Sequence, residues 1–369
     1  MGQTVIYIFL LNKYIWVVII LSKMKKSILI YICLLVIITS SLVIINKVKD
    51  NSKLHKSENI QNDEVKNKEI EDKINIESKA NEIIRVRITN TGEIVAMDIN
   101  DYLRGVVPAE MPPYYEIEAL KAQAIVARTY TYRKMSTSGE GADADMCDNH
   151  AHCQAFYNKD KLFEIWRKKG YDENTIHEYW NKVNEAVVST QNQVIMYQGN
   201  YIKAFFHASS PIRTEDISQI WGGESLPYLV SVENNEVEDY PNRTSCSSFK
   251  YTEFIEKIKN SELNISNLTI EEVKATCINE YTTSGRVKNI KVGSYIVSAE
   301  KLRTIFGLKS TQFTIKLNED NICFDVIGYG HGVGMSQVGA NTYAKEGKNY
   351  IDIINKYYTN VDIVTMPSN

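Results

Sequence analysis

The chain has 369 residues, with 42 Lys and Arg against 45 Asp and Glu, a formal charge of −3. That length holds one large domain or two smaller ones, and a hydrophobic content of 44% supplies a substantial core. No overall basic field calls for a nucleic-acid partner.

Residues 1–22 hold an apolar stretch broken by Asn12 and Lys13. Met24-Lys25-Lys26-Ser27 then reads as the start of a secretory signal, so residues 1–23 are expected to be an upstream extension from a mis-assigned start. The alternative is a two-helix hairpin that leaves the body in the cytoplasm. Ser27 to Ile45 carries no charge and is long enough to cross a bilayer core of ~30 Å. No Ala-x-Ala-like cleavage site follows, so residues 24–46 are expected to be an uncleaved signal anchor, a single transmembrane helix. Lysines flank both of its ends, which makes charge a weak guide to orientation. The body is placed outside the cytoplasm because an N-terminal anchor ahead of a large soluble domain usually exports it. Residues 47–83 lack Gly, Pro and aromatic residues, mix Lys with Asp and Glu, and read as a charged tether.

From Ile84 the pattern is globular and extends to residue 369. Ile84-Arg85-Val86-Arg87-Ile88 alternates as a strand, and Thr91-Gly92 turns the chain into Ile94-Val95-Ala96-Met97. A loop carrying Glu110 follows, then an Ala-rich helix from about Tyr115 to Met135 that is apolar on most faces and therefore central. A polar loop, Glu140 to Gln154, precedes a helix from Asn174 to Thr190. A hairpin joins Val194–Tyr197 to Tyr201–Phe206 through Gln198-Gly199-Asn200. Residues 236–285 are poorly patterned and form a candidate inserted subdomain. Short strands recur near Val287–Val292, Phe313–Leu317 and Cys323–Ile327, with helices near Met335–Lys345 and Tyr350–Tyr358. The alternation predicts a mixed α+β domain.

Glu110 stands in Val106-Val107-Pro108-Ala109-Glu110-Met111-Pro112-Pro113, directly ahead of the Ala-rich helix. A carboxylate held there is placed like a working acid, although a cap on the following helix is the commoner role. A helix N-terminus favours the anion, so apolar neighbours such as Met111 and Tyr329, or bound substrate, are needed to keep its proton. Cys147-x₅-Cys153 with His150 and His152 between them offers four metal donors within seven residues. Cys147, His152 and Cys153 are the first choice for zinc, with His150 or water completing the shell. A Cys147–Cys153 disulfide is the alternative outside the cytoplasm. The two histidines favour metal. Cys246 and Cys277 pair or stay free, and Cys323 is expected to be buried in a strand. Gly328, Gly330, Gly332 and Gly334 do not have the Gly-x-Gly-x-x-Gly spacing of a dinucleotide loop.

Ordered blocks make the chain resemble the stage II sporulation protein D family. They are Ile99 to Pro112, Glu118 to Tyr130, Phe205-Phe206-His207-Ala208-Ser209-Ser210, Arg213-Thr214-Glu215, Trp221-Gly222-Gly223, Leu226-Pro227-Tyr228-Leu229, and Gly328 to Ala340. The chain departs from the pattern at Pro211-Ile212, where many relatives have Gly-Gly. The resemblance implies a lytic transglycosylase acting on peptidoglycan glycan strands that lack stem peptides. It also implies a complex with a sporulation amidase and a membrane scaffold during engulfment, on the mother-cell membrane facing the forespore. Glu110 matches the catalytic Glu. The other blocks imply substrate contacts from His207, Ser209, Arg213, Glu215, Tyr329, His331, Met335, Ser336 and Gln337. Tyr201 and Lys203 alternate on one strand face, as substrate contacts do and as exposed strand faces also do. Some members carry a similar Cys/His loop, for which zinc is implied.

Three other readings stay open. The domain is a non-catalytic wall-binding or amidase-activating module, a zinc-dependent wall hydrolase, or a glycosidase pairing Glu110 with Glu215 or Asp216.

Overall fold

The computed structural model describes residues 82–137, 139–141, 143–236 and 243–367. The expected extension, the membrane anchor at 24–46 and nearly all of the tether lie outside the described residues. Among those described, no helix is long and apolar enough to cross a membrane. Helices and strands mix along the chain, the α+β class expected from its patterning.

The strands β1 (Ile83–Arg87) and β2 (Ile94–Asp98) form the antiparallel hairpin that their alternation predicts, with Val86 opposite Val95. Asp98 then caps α1 (Ile99–Glu110), its carboxylate accepting the Asn100 N–H at 2.8 Å. A loop was expected here. The helix forms because Tyr102, Leu103, Val106 and Val107 fall on one buried stripe. Pro112 holds Met111 extended (φ −122°, ψ 136°), which ends the helix at Glu110.

Next comes α2 (Ile117–Thr137), the Ala-rich helix, buried at every position from Ala119 to Thr129 except Lys121. Its small side chains let neighbouring helices approach from several sides. The two-residue strand β3 (Met146–Cys147) joins β1 in parallel. Two further helices follow, α3 (Lys159–Lys168) and α4 (Glu173–Val188); α3 has no counterpart in the sequence reading. Arg128 of α2 is fully buried and donates to the carbonyls of Val187 (3.2 Å) and Thr190 (2.7 Å) at the end of α4. A cation there satisfies the negative end of the helix dipole.

In the next hairpin, β4 (Gln193–Tyr197) pairs with β5 (Asn200–Tyr201) across Gln198 and Gly199, both at positive φ. The second strand is shorter than expected. The chain leaves this hairpin and forms β6 (Phe206–His207), which finds a partner far along the sequence. The short helix α5 (Ile217–Trp221) follows.

Residues 244–327 have a core of their own, centred on Phe254, Ile290, Leu302, Phe306 and Phe324. It is built from β7 (Thr244–Lys250), α6 (Tyr251–Lys259), α7 (Ile270–Lys274), β8 (Cys277–Tyr281), β9 (Val287–Val292), β10 (Tyr295–Ser298), α8 (Ala299–Phe306), β11 (Phe313–Leu317) and β12 (Asn321–Ile327). These strands make two antiparallel sheets, ordered β10-β9-β8 and β11-β12-β7. Cys246 and Cys277 are free and exposed. Cys323, expected to be buried, is only partly so, because it lies opposite Ser248 on the outer face of its sheet.

The chain then returns to the first core. β13 (Met335–Ser336) pairs in parallel with β6, followed by α9 (Gln337–Lys345), α10 (Tyr350–Tyr357) and β14 (Asp362–Thr365), which pairs with β4. The glycine-rich segment before β13 runs so close to the 205–209 segment that side chains are excluded. At Gly334 (φ +72°) a Cβ would lie 2.0 Å from the Phe205 carbonyl oxygen.

Candidate active site

A cleft of about 430 Å³ opens beside the last turn of α1. One set of lining residues comes from Pro108–Tyr115, Tyr157 and the α3 region; the other comes from Phe206–Ala208, Tyr329, Gly330 and the start of α9. Glu110 is the only carboxylate among the lining residues. Its Oε1 accepts the Ala155 N–H at 2.5 Å. Burial raises its pKa to about 7, and the Ala155 hydrogen bond opposes this only in part. Glu110 closes a helix rather than opening one. The expected tension therefore reverses: the negative end of the α1 dipole also disfavours the anion.

Ala155 is held by its neighbours. Gln154 reaches Thr131 Oγ1 of α2 at 3.2 Å. Phe156 stacks on Tyr102 at 5.4 Å, and Gly105 of α1 leaves the space in which the Phe156 ring lies.

His207 lines the cleft and is buried, with Nδ1 donating to the Val333 carbonyl at 3.2 Å. That bond fixes the neutral tautomer with Nε2 as an acceptor. Burial, then His331 and Arg286, push its pKa well below the usual value. Tyr329 and Gln337 also line the cleft. His331 does not; its Nδ1 accepts the Val333 N–H, and its ring packs among Trp221, Phe205 and His207. Burial, followed by Arg303 and Arg286, lowers its pKa to about 3.

The remaining expected contacts are turned inward or engaged elsewhere. Glu215 is fully buried and accepts Thr282 Oγ1 at 2.6 Å and the Ser284 hydroxyl, tying the cleft wall to the second core. Asp216 caps α5. Arg213 bonds to Ser231 and pairs with Glu233, Met335 is fully buried, and Tyr201 stacks on Tyr132. Lys203 is engaged through its backbone, the N–H donating to the Tyr228 hydroxyl, and it does not line the cleft. Ser209 and Ser336 both donate to Glu236, each at 2.5 Å.

Glu236 is a site residue that the sequence reading missed. Almost fully buried, it also accepts the Ser210 N–H at 2.7 Å and Asn234 Nδ2 at 2.9 Å. Four donors to one carboxylate lock β6 to the N-terminus of α9, and so set His207 and Gln337 in place. An isolated acid has no pattern by which a single sequence could single it out.

The cysteine loop closes as a cluster. Donor atoms of Glu140, Cys147, His152 and Cys153 all lie within 4.8 Å of one another. The two sulfurs are 3.0 Å apart, and His152 Nδ1 is 2.6 Å from Glu140 Oε2. His150 is exposed and outside this group; the fourth donor is Glu140, the first residue of the same polar loop. Two thiols, an imidazole and a carboxylate match zinc in type and number.

The sequence profile of a family described as Stage II sporulation protein matches residues 87–197. The chain is 32% identical over 289 residues to "Stage II sporulation protein D" of Bacillus subtilis (strain 168), covering 76% of this chain and 78% of that one. The chain belongs to the stage II sporulation protein D family. It is also 30% identical to the protein of the same name from Bacillus amyloliquefaciens, over 74% of this chain and 76% of that one. A more distant relative is the "Amidase enhancer" of B. subtilis (strain 168), 27% identical over 69% of this chain and 39% of that protein.

Proposed function

We propose that the chain is a cell-wall enzyme of sporulation, a membrane-anchored lytic transglycosylase that cuts peptidoglycan glycan strands with Glu110 as acid and then base. Family membership supports the sporulation and cell-wall assignment. The observation that carries the chemistry is a single cleft carboxyl with a pKa of about 7.

Near neutral pH a large fraction of Glu110 is protonated. It donates its proton to the glycosidic oxygen that leaves C1 of N-acetylmuramic acid. The resulting carboxylate then removes the proton from that sugar's C6 hydroxyl, whose oxygen bonds to C1. One bond breaks, one forms, no water is consumed, and Glu110 ends protonated again. Most hydrolases need a second carboxylate to act as base or nucleophile. Glu215 and Asp216 are committed to other hydrogen bonds and do not line this cleft, which favours the intramolecular route. Exposed Tyr114 and Tyr157 on the lining offer apolar ring faces for sugars.

Zinc, when bound by Cys147, Cys153, His152 and Glu140, would supply a closed structural clamp rather than a reacting ion. Cys153 lies two residues before Ala155, so the clamp would fix the amide that faces Glu110. An N-terminal anchor, an extracytoplasmic body, a scaffold and an amidase partner complete the reading. The similarity to a protein named amidase enhancer supports the last of these.

The deciding experiment digests peptide-free glycan strands with the protein and reads product masses. Anhydro-muramyl ends, lighter by one water than hydrolysed ends, are expected. Only hydrolysed ends would sink the assignment. Binding without cleavage would favour the non-catalytic module.

A further inference from the structure

Lys134, on the last turn of α2, sends its ammonium group into the cysteine loop. Nζ lies 3.1 Å from Cys153 Sγ and 3.1 Å from the His152 carbonyl oxygen, and it pairs with Glu140 Oε1. Three acceptors thus meet one ammonium group, as many as it has N–H bonds. The Lys134 side chain is 19% exposed and that of Glu140 only 7%, so the pair is largely removed from water. The local fold brings them together. Gly139 takes a positive φ (+55°) just after α2, and its N–H closes on the Lys134 carbonyl at 2.9 Å, which turns the chain so that Glu140 meets the lysine. The Glu140 carboxylate is then divided: Oε1 faces Lys134, and Oε2 faces His152 Nδ1.

Lys134 therefore touches two of the four candidate zinc donors, Glu140 and Cys153, and the backbone of a third, His152. An ammonium nitrogen has no lone pair, so it can act on a metal only through these ligands. Charge gives the contact a purpose. Zinc is held by deprotonated thiols, so two thiolates and a carboxylate around Zn²⁺ leave one net negative charge. A charge shielded from water is costly unless it is paired. We propose that Lys134 is a positioning residue for the metal: it holds Glu140 and Cys153 in their ligating arrangement and neutralises the loaded site. This rests on the zinc reading above and deepens it. The loop carries the donors, and the central helix carries part of the affinity.

The test uses the full chain stripped of metal. Zinc affinity is measured by competition with a chromogenic chelator for wild type, Lys134→Met, Lys134→Gln and Lys134→Arg. The two neutral variants are expected to bind zinc about 10- to 100-fold more weakly, the usual effect of losing a partner that holds a ligand. Lys134→Arg, which keeps the charge and the donors, is expected to recover most of that loss. Cobalt(II) in the same site adds a readout that a general loss of packing would not move. Without the N–H bond to Cys153, the thiolate-to-cobalt charge-transfer band is expected to shift to longer wavelength at full loading. Either neutral variant that folds suffices for the comparison. Unchanged zinc affinity in that variant would overturn the proposal. So would weakened affinity with an unshifted band, which would mark Lys134 as a packing contact alone. A wild-type chain that takes up no zinc would instead remove the zinc reading beneath it.

Discussion

The amide of Ala155 donates to the carboxyl of Glu110 at 2.5 Å, and this bond joins the cysteine loop to the last turn of α1. The contact restrains a side chain that burial would otherwise push further toward the neutral acid. The Glu110 carboxyl is therefore set by desolvation and the α1 dipole on one side and by one backbone N–H on the other.

Replacing Glu110 with Gln keeps the shape and the acceptor for Ala155. Glycan cleavage is expected to fall by roughly 10²- to 10⁴-fold, the usual contribution of a positioned general acid. In the wild type, cleavage is expected to decline as pH rises through about 7, as the acid form is lost. A pH–rate profile flat to pH 9 would argue against Glu110 as the proton donor.

The same shift has a sign for stability. The folded carboxyl titrates near 7 against a reference of 4.5, so the folded state holds the extra proton between those values. Stability contributed by this group is fully present below about 4.5 and is lost as pH rises to 7. Glu110→Gln is therefore expected to be more stable than wild type above pH 7, by up to about 3 kcal/mol, and indistinguishable at pH 4. Denaturant unfolding at the two pH values measures the difference.

Glu236→Ala would leave the donors of Ser209, Ser210, Asn234 and Ser336 buried without their acceptor. A loss of about 3–5 kcal/mol is expected, comparable to breaking a buried charge network. Chemical denaturation that shows less than about 1 kcal/mol would mean that water replaces the carboxylate.

Native mass spectrometry is expected to find one zinc per chain, and Cys147→Ser or Cys153→Ser to abolish it. Chelation should lower the melting temperature, since the loop from Glu140 to Cys153 loses its clamp. A denatured, unreduced chain two hydrogens lighter than the thiol form would show the disulfide instead.

Gly334→Ala and Gly347→Ala separate two costs. Both residues have positive φ, but a Cβ at Gly347 meets nothing within 4 Å, whereas at Gly334 it strikes the Phe205 carbonyl oxygen. Gly347→Ala should cost about 1 kcal/mol, the ordinary penalty of the left-handed conformation. Gly334→Ala should prevent β6 and β13 from pairing, read as loss of soluble folded protein.

Much of this was legible in the sequence because it is local. The strand alternation at Ile84–Ile88, the Ala-rich helix and three strands of the second core (β9, β11 and β12) are written in short-range periodicity, and the structure has them; β7, β8 and β10 of that core were not legible in the same way. Glu110 and the cysteine loop stood out by residue type. The helix at Ile99–Glu110 was missed because Pro108, Pro112 and Pro113 suggested a loop, while the buried stripe from Tyr102 to Val107 prevailed. Glu215, Ser209 and His331, expected to contact substrate, do not line the cleft, because the direction each side chain takes depends on partners far away in sequence such as Thr282, Glu236 and Trp221. The role of Glu236 depends entirely on such partners.

The pairing of β6 with β13 has one more consequence. Ser336 and Ala208, which meet there, are separated by 128 residues, and the Tyr350 N–H reaches back to Glu118 across 232. Closing loops of this length is entropically costly and slow, so these contacts are expected to form after the local helices and hairpins. A chain still being synthesised would carry Glu110 early but have no cleft around it until residues 329–338 arrive. On the function proposed above, competence to cut would be deferred until those residues are in place, and a chain truncated before them is expected to be inert.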